Sequence, residues 1–441
     1  MAAGDAETTP ASSDATEAKE QEKEPDGTLK IKRLLADSCV MQGRRPKQED
    51  RHVKIPDLTK AARALKMPID HLEQPCALFA VYDGHQGPLC ADFAAKNLHG
   101  KLLQRLSADV KGPWTDNRLC EALREVCEEL DTEFLAKFRT ALDGSTLVAV
   151  LITGLRCFVA WLGDSRCILC RRSSKGYILP VALTEDHRPS DAAEAERVRS
   201  AGGIVVDWGG GVARVAHEGY EERVRELRRA AAQGLGTIGK EPVALAVSRA
   251  LGDRDFKAVT GKALLVATPG VRGITLDASH RFLALMCDGI TDVMRDEEIV
   301  ERLQTPSDPA AVRAACGALV QEAYRRGSED NLTVILVRFE WQGAEGEAES
   351  SQAGAVAEAQ PMSSAVAASK RRRLEAAASV SKQKVAEYVR ATGAEATERP
   401  EGFEVFGADG DGAAPESRAA PAAALAAPAA STAQDGADGD S

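Results

Sequence analysis

Apolar and polar positions alternate in short blocks between residues 29 and 341. Blocks rich in strand-favouring residues, most of them ending at Gly or Asp, predict strands in CALFAVYDG, TLVAVLITG, CFVAWLGD, CILCRR, RFLALMCDG and LTVILVRFEW. Apolar residues at helical spacing predict helices in GPLCADFAAKNLHGKLLQRL, DNRLCEALREVCEELDTEFLAKF and DPAAVRAACGALVQEAYRRG. The last of these segments ends in a basic turn and Gly, which is typical of a helix stop.

The order of these blocks indicates the fold class. TLVAVLITG, CFVAWLGD and CILCRR follow one another without an intervening helix, so they predict a meander of antiparallel strands. Antiparallel sheets covered by helices, the α+β class, fit this order better than a doubly wound parallel sheet.

Composition divides the chain into three regions. Residues 1–28 are rich in Ala, Glu, Thr, Asp and Lys and are predicted to be disordered. Residues 29–341 form the predicted folded domain, and residues 342–441 form a predicted disordered, low-complexity tail. Within the domain, residues 209–241 combine a GGG run, the charged segment YEERVRELRRAAAQ and GLGTIGK, which predicts a surface insertion that carries its own helix.

Charge and cysteine usage narrow the class of protein. The formal net charge of −11 argues against nucleic acid as a partner, because phosphate binding needs a basic face. No apolar run approaches the roughly 18 residues of a membrane span, and MAAGDAETTP is not a secretory signal.

Cysteines such as Cys157 and Cys287 lie in apolar strings, as reduced cysteines of cytoplasmic or nuclear proteins do. Cys167 and Cys170 lie three apart in a predicted strand, so they face opposite sides and do not predict a metal site. We therefore expect a monomeric protein of the cytoplasm or nucleus without a membrane partner.

Acidic residues occupy six places where an apolar strand ends or a turn begins. They are Glu49-Asp50 in RRPKQEDRH, Asp83 in VYDGHQG, Asp164 in WLGDSR, Asp253 in SRALGDRDF, Asp288 in MCDGITD and Asp330 in SEDNLTVILV. A single Asp-Gly is an ordinary turn former, but six such positions beside buried strands predict carboxylates that converge. Converging carboxylates require cations, and oxygen ligands suit Mg²⁺ or Mn²⁺. Two such ions can activate a bridging water and hold a phosphoryl group for attack.

Eight collinear motifs, from about residue 36 to residue 340 but outside the insertion, resemble the metal-dependent serine/threonine protein phosphatase family, type 2C. They are MQGRRPKQEDRH, FAVYDGHQG, DGSTLVAVLI, LGDSRCIL, LTEDHRPS with the AGG that follows, LAVSRALGDRDFK, FLALMCDGITDVM and GSEDNLTVILV. The resemblance implies a four-layer αββα sandwich, with two antiparallel sheets packed together, helices outside and the metals in a cleft at one end. It also implies a phosphatase that acts on phosphoserine and phosphothreonine of protein substrates.

The resemblance also implies roles for individual residues. Asp83 would bridge two ions of Mg²⁺ or Mn²⁺ with the Gly84 carbonyl as a further ligand. The remaining ligands would be Glu49 with Asp50 beside it, Asp253, Asp288 and Asp330, while Asp164 with Asp253 would hold a weaker third ion. Arg45 would bind the substrate phosphate through its bidentate guanidinium. His85 would donate a proton to the leaving serine or threonine oxygen.

The sequence departs from the family pattern at several points. Gln86 stands in GHQG where the family has GHGG, and Thr291 stands where an aromatic is common. The long insertion replaces the turn after AGG, where Arg214 only loosely resembles a family arginine. Gln86 and the insertion leave open the alternative of a catalytically weak pseudophosphatase that acts as a scaffold or regulator.

Three further patterns have weaker interpretations. GLGTIGK matches a phosphate-binding loop, but Glu241 follows where such a loop has Ser or Thr. Cys39 and Arg45 are spaced as in cysteine phosphatases, but CVMQGRR is typical of the end of a strand. In the tail, Lys370–Arg373 form a basic cluster that is either a nuclear import signal or a solvated charge run.

Overall fold

The computed structural model describes residues 29–108, 112–207, 212–234, 242–257, 262–304 and 308–342. All of them fall within the first of two compact units of the chain, Met1–Lys384. The second unit, Val385–Ser441, lies outside the described residues, as do residues 1–28 and nearly all of the predicted tail. Lys370–Arg373 also lie outside them.

Antiparallel strands make up the centre of the fold. In chain order the described residues form β1 (Ile31–Met41), β2 (Arg51–Ile55), β3 (Cys76–Tyr82), β4 (Gly84–His85), β5 (Gly144–Ser145), β6 (Leu147–Thr153), β7 (Arg156–Leu162), β8 (Arg166–Arg172), β9 (Ile178–Ala182), β10 (Gly203–Asp207), β11 (Ala213–His217), β12 (Leu251–Gly252), β13 (Gly270–Thr275), β14 (His280–Met286) and β15 (Leu332–Trp341).

Helices cover these strands. The described residues form α1 (Leu58–Ala64), α2 (Leu89–Leu106), α3 (Asp116–Lys137), α4 (Ala192–Ser200), α5 (Tyr220–Ala232), α6 (Arg254–Lys257), α7 (Asp288–Thr291), α8 (Asp296–Arg302) and α9 (Pro309–Arg325). Asp308 caps α9 by accepting hydrogen bonds from the amides of Ala310 and Ala311, with Pro309 at the first helical position. No helix among the described residues is long and apolar enough to cross a bilayer.

Two five-stranded antiparallel sheets pack face to face. One has the order β1-β15-β14-β8-β9 and the other β13-β7-β6-β3-β2. Side chains of a strand alternate between its two faces, and β3 shows the result: Phe79 and Val81 lie in the core between the sheets, whereas Leu78 and Tyr82 pack toward α2 and α3. A third core lies between the first sheet and helices α8 and α9. The predicted αββα sandwich is therefore confirmed.

The predicted meander is only partly correct. Strands β6 and β7 pair in one sheet, but β8 lies in the other sheet between β14 and β9. The chain changes sheets after β7, where Gly163 adopts φ 85°. Both sheets are buried and antiparallel, so the apolar pattern of β8 does not specify its neighbour. The prediction that Cys167 and Cys170 face opposite sides is confirmed, because Cys167 lies between the sheets and Cys170 beneath the helices.

The predicted insertion contains a helix, α5, but residues 213–217 form β11, which pairs with β10 in a two-stranded sheet. Beyond α5, the chain returns to β11, where Val215 and Leu245 exchange backbone hydrogen bonds of 2.8 and 3.0 Å. The two ends of the α5 segment are therefore held together beside the hairpin. Residues 235–241, which include most of GLGTIGK, lie outside the described residues.

Candidate active site

A cleft of about 590 Å³ opens at one end of the sandwich, where strands of both sheets begin or end. Arg51 at the start of β2 pairs with Tyr82 at the end of β3, so Asp50 and Asp83 lie next to each other. In the other sheet, Met286 at the end of β14 pairs with Val334 near the start of β15, which places Asp288 and Asp330 at the same end. Acidic residues that line the cleft are Glu49, Asp83, Asp164, Asp288, Asp292 and Asp330. Strand pairing thus brings together carboxylates that are far apart in sequence.

Asp50, Asp83 and Cys287 form the innermost group, with potential ligand atoms that all lie within 4.8 Å of one another. Thr333 Oγ1 donates a hydrogen bond of 2.6 Å to Asp50 Oδ2 and so joins the two sheets at this point. Asp50 Oδ1 is buried and has no hydrogen-bond partner among the described residues. A buried, unpartnered carboxylate oxygen beside a second carboxylate is suited to a cation.

The electrostatics of the cleft fit the same interpretation. Burial raises the pKa of Asp50 to about 6. Burial, together with the charges of Asp50 and Asp288, raises the pKa of Asp83 well above its usual value. Burial and the charge of Asp164 also raise the pKa of Asp288 well above its usual value. The negative charge of these carboxylates exceeds the positive charge of the side chains around them. The donor set therefore fits hard divalent cations.

Backbone contacts fix the positions of these groups. Asp83 accepts a backbone hydrogen bond of 2.9 Å from Thr146, and its own amide lies 3.2 Å from Thr146 Oγ1. A Cβ on Gly84 would lie 2.7 Å from the Glu49 carbonyl oxygen, so only glycine allows this close approach. The close approach places the Gly84 backbone beside the Glu49-Asp50 pair.

Asn331 holds the loop that carries Glu49 and Arg45. Its Oδ1 accepts a hydrogen bond of 2.7 Å from the Glu49 amide, and its Nδ2 donates to the carbonyls of Gln42 and Lys47 at 2.8 and 2.9 Å. Sequence reasoning did not single out this Asn, although its place directly after Asp330 and before a strand was a signal. Arg45 extends from this loop into the cleft, where its Nη2 lies 2.7 Å from Asp330 Oδ2. The Arg45 side chain is 53% exposed, so it is accessible to a ligand.

His85 is bound by Asp253. The Nε2 atom of His85 lies 2.8 and 2.9 Å from the two carboxylate oxygens of Asp253, whose side chain is fully buried. Burial alone would lower the pKa of His85, but the charge and hydrogen bond of Asp253 outweigh it and raise the pKa. A Cβ on Gly144 would lie 2.2 Å from both His85 Nε2 and Asp253 Oδ2, so this neighbour must be glycine.

Asp253 is the predicted metal ligand that the structure places elsewhere. It is not among the residues that line the cleft, and its carboxylate faces His85. Asp253 also has a positive φ of 52°, as does Gln86 with φ 59°, whose Nε2 lies 3.5 Å from Asp253 Oδ1. The departure from the family pattern at Gln86 is therefore next to the His85–Asp253 pair rather than next to the innermost carboxylates.

Asp164 faces an arginine that sequence reasoning did not single out. Arg188 Nη2 lies 2.7 Å from Asp164 Oδ2 and 3.7 Å from Asp292 Oδ1. The Nε atom of the same guanidinium donates a hydrogen bond of 3.1 Å to Asp186 Oδ2. Arg188 and Asp292 both line the cleft and belong to the site; their signals were the motifs DHRPS and CDGITD.

The remaining wall of the cleft is mainly apolar. It comprises Val212 and residues 243–247, together with Arg214. Arg214 Nη1 donates a hydrogen bond of 2.9 Å to the Ala244 carbonyl, which ties β11 to the segment that returns from α5. The first described residue of the predicted insertion, Val212, and the described segment that follows it, from Val243 onward, therefore line the cleft.

Known proteins resemble this chain in sequence and in fold. The family model described as Protein phosphatase 2C matches residues 35–332. The integrin-linked kinase-associated serine/threonine phosphatase 2C of Homo sapiens is 31% identical over 317 residues, which cover 68% of this chain and 70% of that protein. Probable protein phosphatase 2C 45 of Oryza sativa subsp. japonica is 33% identical over 269 residues, which cover 60% of this chain and 78% of that protein. The crystal structure of serine-threonine phosphatase 2C from Toxoplasma gondii has a similar fold, with a TM-score of 0.56, 24% identity and coverage of 69% of this chain and 94% of that chain.

Fold, cleft and comparisons together define a metal-dependent serine/threonine protein phosphatase, a hydrolase. The matched residues run from β1 to the first residue of β15 and include every residue predicted for the site. The chain belongs to the protein phosphatase 2C family. The resemblance that the eight motifs predicted is therefore confirmed, whereas the roles of the individual residues remain predictions.

Proposed function

We propose that the protein removes phosphate from phosphoserine and phosphothreonine of other proteins by direct attack of water at a site for two ions of Mg²⁺ or Mn²⁺. The observation that carries this proposal is the innermost group, in which the carboxylates of Asp50 and Asp83 lie beside Cys287 of the other sheet and near the charge of Asp288, without enough positive charge to balance them. The proposed ligands are Glu49, Asp50, Asp83, Gly84 through its carbonyl, Asp288 and Asp330. When bound, such ions supply a water of lowered pKa and neutralise the oxygens of the phosphoryl group.

The side chains of the cleft position the substrate for this reaction. Arg45 presents a half-exposed guanidinium beside Asp330, and its planar fork matches two oxygens of a phosphate. We propose that Arg45 holds the phosphate and that the strand-end carboxylates orient the attacking water. The fixed geometry lowers the entropic cost of bringing water and phosphate together.

His85 is the proposed proton donor to the leaving serine or threonine oxygen. It lines the cleft, and the Asp253 carboxylate behind it favours the protonated imidazole. Asp253 is thus proposed as the residue that holds and orients His85. A protonated imidazole can transfer its proton as the bond from phosphorus to the leaving oxygen breaks.

The test is hydrolysis of a phosphothreonine peptide with added Mn²⁺ by the wild type and by Asp83→Ala. We expect phosphate release by the wild type and a loss of at least about 100-fold in the variant, as for removal of a group that stabilises charge at the reacting centre. Asp277→Asn is a matched control, because Asp277 is an exposed turn aspartate ahead of β14. No turnover by the wild type would instead favour the pseudophosphatase alternative.

We also propose that the protein acts as a monomer in the cytoplasm or nucleus. Among the described residues, the large apolar side chains that are exposed are few: Val40, Leu65, Tyr177 and Val181, of which only Tyr177 and Val181 are close in sequence. Light scattering at micromolar concentration, with a mass near 46.9 kDa, would support a monomer. A mass of twice that value would contradict it.

A further inference from the structure

The small three-stranded sheet β12-β5-β4 brings His85 and Asp253 together. In this sheet, Gly144 of β5 is paired with His85 of β4 on one side and with Gly252 of β12 on the other. Asp253 follows β12 directly, and its carboxylate oxygens lie 2.8 and 2.9 Å from His85 Nε2. The position of this carboxylate is therefore set by the turn at the end of β12.

The backbone of this turn has an unusual conformation. Gly252 has a φ of 76° and Asp253 a φ of 52°, so two consecutive residues lie in the left-handed region, which non-glycine residues seldom adopt. A Cβ on Gly252 would clash with the Asp143 carbonyl oxygen, and the Asp253 amide donates a hydrogen bond of 3.0 Å to that same oxygen. Such a conformation persists only where the surrounding contacts hold it.

A buried ion pair also holds this turn. Asp131 Oδ1, on α3, accepts a hydrogen bond of 2.7 Å from the Gly252 amide and is paired with Lys257 Nζ. Lys257 Nζ in turn donates to the Ala250 carbonyl at 2.8 Å. The side chains of Asp131 and Lys257 are 11% and 8% exposed, and neither residue lines the cleft. The ion pair therefore contacts the backbone on both sides of Leu251 from outside the cleft.

The value of this ion pair lies in the geometry that it fixes. A buried ion pair adds little net stability, because the desolvation of two charges offsets their attraction. Its hydrogen bonds are nevertheless directional, and the Gly252 amide does not move without breaking one to a carboxylate.

We propose that Asp131 and Lys257 are positioning residues for proton donation. They hold the end of β12 so that the Asp253 carboxylate keeps His85 in place beside the leaving oxygen of the substrate. This inference rests on the proposed function, in which His85 donates the proton, and extends the site to two residues that do not touch the substrate.

The proposal makes activity depend on the leaving group. When the bond from phosphorus to a serine or threonine oxygen breaks, the bonding electrons stay on that oxygen, which takes a proton from His85. The p-nitrophenolate ion is stable and leaves p-nitrophenyl phosphate without that proton. The metal ligands and Arg45 serve both substrates alike, so a misplaced His85 slows only the reaction of the peptide.

The experiment measures kcat at saturating Mn²⁺ on a phosphothreonine peptide and on p-nitrophenyl phosphate. In Asp131→Ala we expect a loss of about 10- to 100-fold on the peptide and of at most about 3-fold on p-nitrophenyl phosphate. Lys257→Met, which keeps the stem of the side chain without its charge, should show the same selective loss. In a His85→Gln background, Asp131→Ala should cause no further loss on the peptide, because residues that act as a unit are not additive.

Leu123→Ala is the matched control. Leu123 is a buried residue of the same helix, about 12 Å along its axis from Asp131, so the substitution lowers stability at a distance from the Gly252 contact. We expect this variant to keep the wild-type ratio of the two kcat values. If Asp131→Ala does not fold, as judged by circular dichroism, Lys257→Met decides by the same ratio.

Equal losses on the two substrates in the folded variants would overturn the proposal, because they would indicate that the turn supports metal binding or the fold in general. Wild-type activity of Asp131→Ala on the peptide would overturn it as well. Absence of Mn²⁺-dependent turnover of both substrates by the wild type would refute the proposed function itself, and it is distinguishable because it needs no variant.

Discussion

The pKa of Asp50 makes the stability of the metal-free protein depend on pH in an unusual direction. Burial raises this pKa from 3.8 to about 6 in the folded protein. The Asp50 carboxyl group therefore keeps a proton in the folded protein that it releases in the unfolded chain, and its contribution to the free energy of unfolding falls as pH rises from 4 to 7. A shift of about 2 pKa units corresponds to about 3 kcal/mol over this window.

The perturbation that removes this contribution is Asp50→Asn, which keeps the shape of the side chain and an oxygen for the Thr333 hydroxyl. In the presence of a chelator, we expect the free energy of unfolding of the variant to rise by about 3 kcal/mol relative to that of the wild type between pH 4 and pH 7. At pH 7 with saturating Mn²⁺, we expect the wild type to have the higher free energy of unfolding, because the ion stabilises only the protein that keeps its ligand.

The assay is urea denaturation at pH 4, 5, 6 and 7, followed by circular dichroism, with and without chelator. Asp277→Asn is again the control, since exposed Asp277 has a lowered pKa from hydrogen bonds with Ser279 and should not show this gain. If, in the presence of chelator, the free energies of unfolding of the wild type and of Asp50→Asn depended on pH in the same way, the reasoning would be refuted. A Mn²⁺ effect of equal size in both proteins would also refute it.

Three further predictions concern other parts of the chain. Gly144→Ala should lower kcat by about 10- to 100-fold because its Cβ displaces His85 from its carboxylate partner, whereas Gly317→Ala, with open space at that position in α9, should leave kcat unchanged. His187 has a pKa lowered to about 4 by burial, so its contribution to the free energy of unfolding should fall by about 3 kcal/mol as pH falls from 6.5 to 4, opposite in sign to that of Asp50, and His187→Gln should gain this amount relative to the wild type in urea titrations over the same range. Residues 362–380 fused to a fluorescent reporter should concentrate it in the nucleus, and an even distribution would count against the import signal.

Local patterns predicted the α+β class and the strand-end carboxylates, whereas the four layers of the sandwich were predicted from the family resemblance. Alternating and continuous apolar runs define strands that are buried on both faces, and an acidic residue at the end of such a strand is held rigidly. Antiparallel pairing then brings Asp83 and Asp288 to one end of the sandwich. The placement of each carboxylate at a strand end needed no knowledge of which strands are neighbours, whereas their meeting at one end follows from the pairing.

Features that depend on distant pairs were harder to predict. The membership of β8 in the sheet of β1, β15 and β14 is decided by its pairing with β14, more than 100 residues later in the chain. The contact of His85 with Asp253 spans 168 residues, and nothing local distinguishes this aspartate from a metal ligand. Arg188 is equally ambiguous in sequence, because a basic residue in a loop is usually solvated; here the surrounding carboxylates bury it.

The central claim is that buried carboxylates hold the ions that make water reactive toward a phosphoryl group. The most direct test is phosphate release from a phosphothreonine peptide by chelator-treated protein as Mn²⁺ is added back, in the wild type and in Asp288→Asn. We predict no release in chelator, full recovery with Mn²⁺ in the wild type and none in a folded Asp288→Asn variant. Release that persists in chelator, or an Asp288→Asn variant with wild-type activity, would contradict the claim.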